Sequence, residues 1–577
     1  SVDCLDNGLL MIRYIIILYL FTAFSVAADL DLKNLNDVIG EDNQIHAWIM
    51  FKDKGSDFVA RKQNVTLHPK TLERRKKLFP EPVTWYDVPV HQEYINDIIL
   101  VGAEIHRNSK WLNAVSVFAS LDQIKTIAAM NFVKGIQPVA KLHRRKNKII
   151  NKMTYSRHQN SSLMDYGLAQ TQIEMMNCNL AHDIGYFGQG VRILVIDTGF
   201  DLTHEAFDSL HVIDQWDFIN NDNNTANETD SEENDGQHNH GTSVLSIMGA
   251  YVPGTLIGPA FGSEFLLAKT EIVAEEILQE EDNYVAALEW GEANGADVVN
   301  SSLGYLDWYS YCDMDGNTAI TTIGVDIAAS LGLTCVTSAG NWGNQDPPED
   351  PCETLSYYIS APADADSVIA VGAVSSDSII TYFSSRGPSY DGRIKPEVSA
   401  LGVGVAVANP AGGYSVFYSG TSASSPLVAG AAAVLLSANP QWNNMELREA
   451  LMMTASQADM PNNDYGHGLV NIWSALFYNS SGSIITTKHP QFFSLDKAYP
   501  NPFNPAVTFS VSVTKLSLIN ITIFDINGRL ITTICNEVLD VGNHQFIWNA
   551  TVQPNGIYII RSAAGQTALS QKITLIK

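Results

Sequence analysis

Cysteine is scarce in this 577-residue chain and badly spaced for chemistry. Cys4, Cys178, Cys312, Cys335, Cys352 and Cys535 include no C-x-x-C pair, which argues against zinc ribbons and dithiol redox motifs. Positive charge is also in deficit: 35 Lys and Arg face 62 Asp and Glu, a net charge of −27. Neutralising phosphates takes clustered Lys and Arg, so nucleic acid is excluded as a partner. Charged residues are only 17% of the chain against 45% hydrophobic, a globular balance and not a disordered one. No long internal repeat or low-complexity tract is present. After residue 28 no segment reads as a membrane span. A chain of this length is expected to hold roughly two to four domains.

One apolar run does stand out, at the front. MIRYIIILYLFTAFSVAADL begins at Met11, carries Arg13 early and ends in small residues. That is the pattern of a secretory signal peptide cleaved after Ala27 or Ala28, and residues 1–10 read as sequence upstream of the start. The protein is therefore expected to be exported, with no transmembrane segment once mature.

Between His46 and Arg157 the charge balance reverses, with 20 Lys and Arg against 9 Asp and Glu. A basic segment beside a strongly acidic remainder suggests two pieces that attract each other. Within 45–142, IHAWIMF and NAVSVFAS read as strands, and HPKTLERRKKLF and LDQIKTIAAM as helices, a small α+β unit. Residues 143–164 are basic and aperiodic, a linker open to proteolysis. From 165 to 478 short apolar runs such as VRILVID, ADVVNSSLG, LTCVTSAGN and SVIAVGAV alternate with helical segments. Such alternation predicts an α/β domain with a parallel sheet covered on both faces, whose working residues gather at the carboxyl ends of strands. After a linker at 479–495, residues 496–577 show short strands broken by Pro, Asn and Gly turns, a small β-sandwich.

Four polar residues interrupt the apolar pattern of the middle domain. Asp197 ends the strand VRILVID, and His240 stands at the mouth of the helix-like HGTSVLSIMGA. Asn341 follows a buried strand in SAGNWG, and Ser422 precedes Pro426 and a long apolar run in GTSASSPLVAGAAAVLL. Each alone reads as a cap or a turn. Together they supply a nucleophile, a base, a residue that orients the base, and an amide donor for an oxyanion. The small side chains around Ser422 would leave a carbonyl room to approach.

The order Asp…His…Asn…Ser, with VIDTGF, HGTSV, SAGNWG and GTSASSP, resembles the subtilisin-like serine proteases over about residues 165–477. The resemblance implies a three-layer α/β fold, with Asp197, His240 and Ser422 as the triad and Asn341 as oxyanion donor. It implies that Ser302, Leu303 and Gly304 wall the first specificity pocket opposite Ser338 to Gly340. Ala423 stands where that family often has methionine. The basic unit at 45–142 is similar to the inhibitor-type propeptides of such enzymes, which implies a zymogen cleaving itself within 141–164. The tail is similar to type-A sorting domains of the type IX secretion system, which implies export with release or surface attachment.

The resemblance implies polypeptide substrates and no required cofactor. A structural calcium at Asp313, Asp315 and Asn317 in CDMDGN competes with a plain polar turn, since that stretch lacks a later bidentate Glu. Cys312 and Cys352 sit in turn-rich sequence, and bridged or free thiols are both open. Two other functions share the same residues: an inactive binding protein that keeps the fold, and an esterase.

Overall fold

The computed structural model describes residues 29–30, 43–139, 163–273, 280–305, 309–344, 347, 349–350, 352, 357–478, 493–513, 517–525, 530–564 and 567–577. The signal-peptide reading at 1–28 and most of both linker readings, at 143–164 and 479–495, lie outside the described residues.

The N-terminal unit is built from β1 (Ile45–Phe51), α1 (Pro69–Lys76), α2 (Gln92–Leu100), β2 (Glu104–Ser109), β3 (Ala114–Ala119), α3 (Leu121–Ala128) and β4 (Val133–Pro138). Their sheet runs β4-β1-β3-β2, with the two-residue strand Asp29–Leu30 beside β4. Its core joins Ile45, Ala47 and Ile49 of β1 to Ile124 and Ile127 of α3. Ser120 starts α3 with a capping box, its hydroxyl accepting from Gln123 N–H. The sequence reading gave this unit two helices. It missed the short helix Phe58–Gln63, and it missed α2, although Ile95 and Ile98 recur at helical spacing and are buried.

The middle domain carries a sheet of β5 (Arg192–Asp197), β6 (His211–Asp217), β7 (Glu264–Lys269), β8 (Val298–Ser301), β9 (Thr334–Ser338), β10 (Ile369–Val374) and β11 (Val398–Leu401). All its pairings are parallel, in the order β11-β10-β9-β8-β5-β7-β6. Alternate residues of one strand serve two cores. Ile193 and Val195 face α4 (Asn239–Gly249) and α7 (Thr421–Ala438), while Leu194 and Ile196 face α5 (Glu280–Ala293) and α6 (Ile320–Ser330). Burial on both faces is why β5 reads as an unbroken apolar run. Helix α7 is long and apolar enough to cross a membrane, yet 83% of it is buried here, as the central helix of one core. A disulfide joins Cys312 to Cys352, which decides the alternative left open by their spacing.

The described residues between 493 and 577 form two small antiparallel sheets around one core, with Val507, Phe509, Ile521, Ile523 and Ile560 at its centre. One sheet contains Ala506–Val513 paired with Gly542–Asn549, and the other is centred on Ser517–Asp525 and Gly556–Ala564.

The N-terminal unit docks on α5 and α6. Trp48 packs with Val285 and Ile320, and Trp111 with Tyr284 and Ala287. Charge then fixes the register. Glu292 of α5 receives Arg74 and Arg75 of α1, both at 2.8 Å and all three side chains buried. Glu289 accepts from Ser109 Oγ at 2.6 Å and from the N–H groups of Lys110 and Trp111. The opposite charges legible in composition meet here.

Removing the shared carboxylate leaves the buried Arg74 guanidinium without its carboxylate partner, while Arg75 keeps Asp87 at 2.6 Å. The Glu292→Ala chain is expected to lose about 3–5 kcal/mol from the docked state, read as faster digestion of residues 45–139 by an added protease. Digestion at the unaltered rate contradicts that role.

Candidate active site

Asp197 closes β5 with its carboxylate fully buried. Oδ1 accepts from Thr198 N–H at 2.8 Å and lies 2.6 Å from His240 Nδ1. A carboxylate can only accept here, so the network assigns the proton to Nδ1. In the neutral ring, Nε2 then presents its lone pair. The imidazole is itself only 9% exposed. Helix α4 meets the strand end this closely because residue 241 is glycine. A Cβ there would stand 2.2 Å from the Gly199 carbonyl oxygen and 3.1 Å from Asp197 Cβ.

The neighbouring His238 has a structural task. Its Nδ1 accepts from Asn227 N–H at 3.2 Å, tying down the acidic loop, and burial pushes its imidazole below the ordinary histidine range. That loop is mostly exposed, as its sequence implies, with Glu232 as an anchor on buried Lys269.

Ser422 is the second residue of α7 and is 6% exposed. Two reciprocal bonds hold it to the strand end at Ser302. Ser422 Oγ donates to the Ser302 carbonyl at 3.1 Å, and Ser302 Oγ donates to the Ser422 carbonyl at 3.2 Å. The sequence reading put this hydroxyl within reach of the imidazole, but no hydrogen bond joins Ser422 to His240 here. A nearly buried hydroxyl donates to whichever carbonyl faces it. Moving between staggered χ1 wells redirects it without shifting the helix, and such contacts often tighten only around a substrate. The chain entering α7 does pass His240, since the Tyr418 ring lies 6.2 Å from the His240 ring.

Asn341 Oδ1 accepts from Thr421 N–H at 2.9 Å and Thr421 Oγ1 at 3.1 Å. The backbone N–H is donor-only, so the amide orientation is fixed with oxygen toward the helix. Among the described residues the amide nitrogen is uncommitted, beside the positive end of an 18-residue helix. Ser425 Oγ donates to Asn300 Oδ1 at 3.0 Å, a further tie between α7 and β8. Ala423 is fully buried in the core.

The two segments expected to wall a pocket are adjacent: Ser338 Oγ donates to the Leu303 carbonyl at 3.3 Å. Gly340 N–H donates to Thr421 Oγ1 at 3.2 Å, linking that segment to α7. Ser360 joins them, and no motif in the sequence marks it. A Cβ at Gly304 would lie 2.6 Å from Ser360 Oγ, and one at Gly340 3.2 Å from it. Only folding brings this serine between Ser302–Gly304 and Ser338–Gly340. At CDMDGN, Asp313 accepts from Ser310, and Asp315 from Asn317 N–H and Thr318. These carboxylates work as local caps.

The subtilase family model matches residues 188–468. The peptidase S8 propeptide domain of Bacteroidota matches residues 46–154, and the secretion system C-terminal sorting domain residues 497–577. A subtilisin of Bacillus pumilus is 31% identical over 315 residues, 54% of this chain and 98% of the relative. Subtilisin E of Bacillus subtilis is 29% identical over 380 residues, 65% of this chain and 83% of the relative. The epidermin leader peptide processing serine protease of Staphylococcus aureus shares the fold, with a TM-score of 0.54 at 16% identity. That match covers 76% of this chain and 99% of the solved one.

The tight approach at residue 241 carries a stability cost if altered. Gly241→Ala is expected to lower the denaturant midpoint of the unprocessed chain by the equivalent of about 1–3 kcal/mol, as overpacking does. An unchanged midpoint contradicts the close contact with Gly199.

Proposed function

The chain belongs to the subtilase family and is a serine endopeptidase carrying a propeptide and a type IX sorting domain; from that premise we propose that it is made as a self-processing zymogen working through Asp197, His240, Ser422 and Asn341. The sorting domain marks it for export, with surface attachment or release outside the cell.

In the proposed cycle, a substrate peptide lies along Ser302–Gly304 with its side chain toward Ser338, Gly340 and Ser360. Ser422 Oγ leaves the Ser302 carbonyl and attacks the scissile carbonyl carbon as His240 Nε2 takes its proton. Asp197 holds the imidazole in the required tautomer and stabilises the imidazolium. Negative charge on the tetrahedral oxygen is met by the Ser422 N–H and the Asn341 amide, at the positive end of α7. The imidazolium then protonates the leaving amine. Water attacks the acyl-enzyme by the same route and frees Ser422. The 2.6 Å contact between Asp197 and His240 carries this reading most, because it places the ring's proton on Nδ1 and leaves Nε2 free to act as a base. It also weighs against the inactive-surface-protein alternative. An esterase with the same residues would turn over esters and leave unfolded protein intact.

The N-terminal unit acts as the intramolecular inhibitor in this proposal. Its buried ion pairs with α5 favour a docked state that persists until the linker is cut.

Expression from Met11 followed by sequencing of the mature N-terminus tests activity and self-processing together. A new terminus within 141–165 is expected from wild type and is absent in Ser422→Ala. A fluorophosphonate probe should label wild type and not that variant. The same processed terminus in Ser422→Ala, or no labelling of wild type, contradicts the proposal. Asn341→Ala in the mature enzyme should lower kcat by about 10²–10³, the handicap known for a lost oxyanion donor of this type in subtilisin itself. A fall under threefold removes Asn341 from that role.

A further inference from the structure

Two histidines of the N-terminal unit and one aspartate of the protease domain meet at a point that neither triad nor pocket uses. His106 Nδ1 of β2 lies 2.7 Å from Asp282 Oδ2, and His46 Nε2 of β1 lies 3.2 Å from the same oxygen. The imidazole of His46 and the carboxylate of Asp282 are fully buried, while His106 keeps 16% exposure. Asp282 sits in the first turn of α5, and the two rings stand edge to face with centroids 5.3 Å apart. Ser116 of β3 donates to Asp282 Oδ2 as well, whereas Asp282 Oδ1 is buried and has no hydrogen-bond partner among the described residues. The carboxylate thus has one crowded oxygen and one idle one.

We propose that His46 Nε2, His106 Nδ1 and Asp282 Oδ2 form a site for one zinc-class divalent cation that bridges the N-terminal unit to the protease domain. Three ligands on a tetrahedral ion at about 2.0–2.1 Å stand about 3.3 Å apart, against 3.2 and 2.7 Å here. The His46 distance already fits, and the His106 ring must retreat by about half an ångström. Each neutral imidazole then carries its proton on the other ring nitrogen and turns a lone pair to the cation. Ser116 can move its donation to the idle Oδ1. The partly exposed side of His106 admits water as the fourth ligand. Two imidazole nitrogens with one carboxylate select zinc-class ions over calcium or magnesium. The nearby Arg107 guanidinium is engaged by Asn283 Oδ1 and by the Phe218 and His106 carbonyls.

Because the ligands come from both pieces, the complete site exists only when they are docked. By linkage, a cation at 100 times its Kd favours the docked state about 100-fold. The consequence for maturation rests on the zymogen reading, whereas the cation site itself does not.

The test uses the full chain carrying Ser422→Ala, so that it stays uncleaved. After dialysis against zinc, its metal content is compared with that of the same chain also carrying His106→Gln or Asp282→Asn. One equivalent of zinc is expected to be lost in each added variant, along with the zinc-induced rise in unfolding midpoint. Equal zinc content in all three chains overturns the site. Should either variant fail to fold, anomalous scattering from a zinc-soaked crystal of the Ser422→Ala chain decides. A peak between His46, His106 and Asp282 supports the site, and none at that position overturns it. This readout needs no protease activity, whose failure would appear separately as unlabelled wild type.

Discussion

A buried carboxylate touching one imidazole is the constraint around which the protease domain is arranged. Asp197 stays dry because β5 lies inside a parallel sheet with helices on both faces. It stays hydrogen-bonded because the chain turns at once through Thr198 and delivers α4 past Gly241. Burial leaves the charge no water to lean on, so the histidine and the Thr198 amide supply its partners. The rest follows by proximity. Strand β8 brings Ser302 against Ser422, and Asn341 fastens the start of α7 through Thr421. The Ser422 hydroxyl rests on the Ser302 backbone carbonyl, and rotation about χ1 redirects it without moving the helix.

A second theme is charge placed on both sides of a covalent boundary. The basic N-terminal unit and the acidic domain attract over distance, yet the specific part of the docking is buried. Glu292 gathers two arginines, Glu289 caps a turn through three donors, and Asp282 gathers two histidines. Removal of any of these carboxylates leaves unpaired donors or cations out of water. Trp48 and Trp111 add apolar area between them. Such an interface suits a propeptide that stays docked on the domain it precedes.

Much of this was legible in the sequence because it depends on local pattern. The unbroken apolar run of VRILVID marks a strand buried on both faces, and the small residues around Ser422 mark room for a carbonyl to approach. The reversal of charge near residue 160 marks the unit that docks. What escaped has nonlocal causes. Ser360 stands beside Gly304 and Gly340 only in the folded chain, and its own surroundings carry no motif. The bond between Ser422 and Ser302 depends on a rotamer, which composition cannot encode. The pairing of Cys312 with Cys352 required the loops between them to be placed. Helix α2 was missed for a different reason: its Ile95 and Ile98 were visible, but one short apolar pair is weak periodicity.

The central claim is that Asp197 works by orienting His240. It is tested most directly by measuring kcat and KM of Asp197→Asn, freed of its N-terminal unit by added wild-type enzyme, on a peptide substrate. An amide in place of the carboxylate keeps the shape but presents the wrong tautomer, so kcat should fall by about 10⁴ with KM nearly unchanged. A fall of less than tenfold, or a loss confined to KM, would contradict the account.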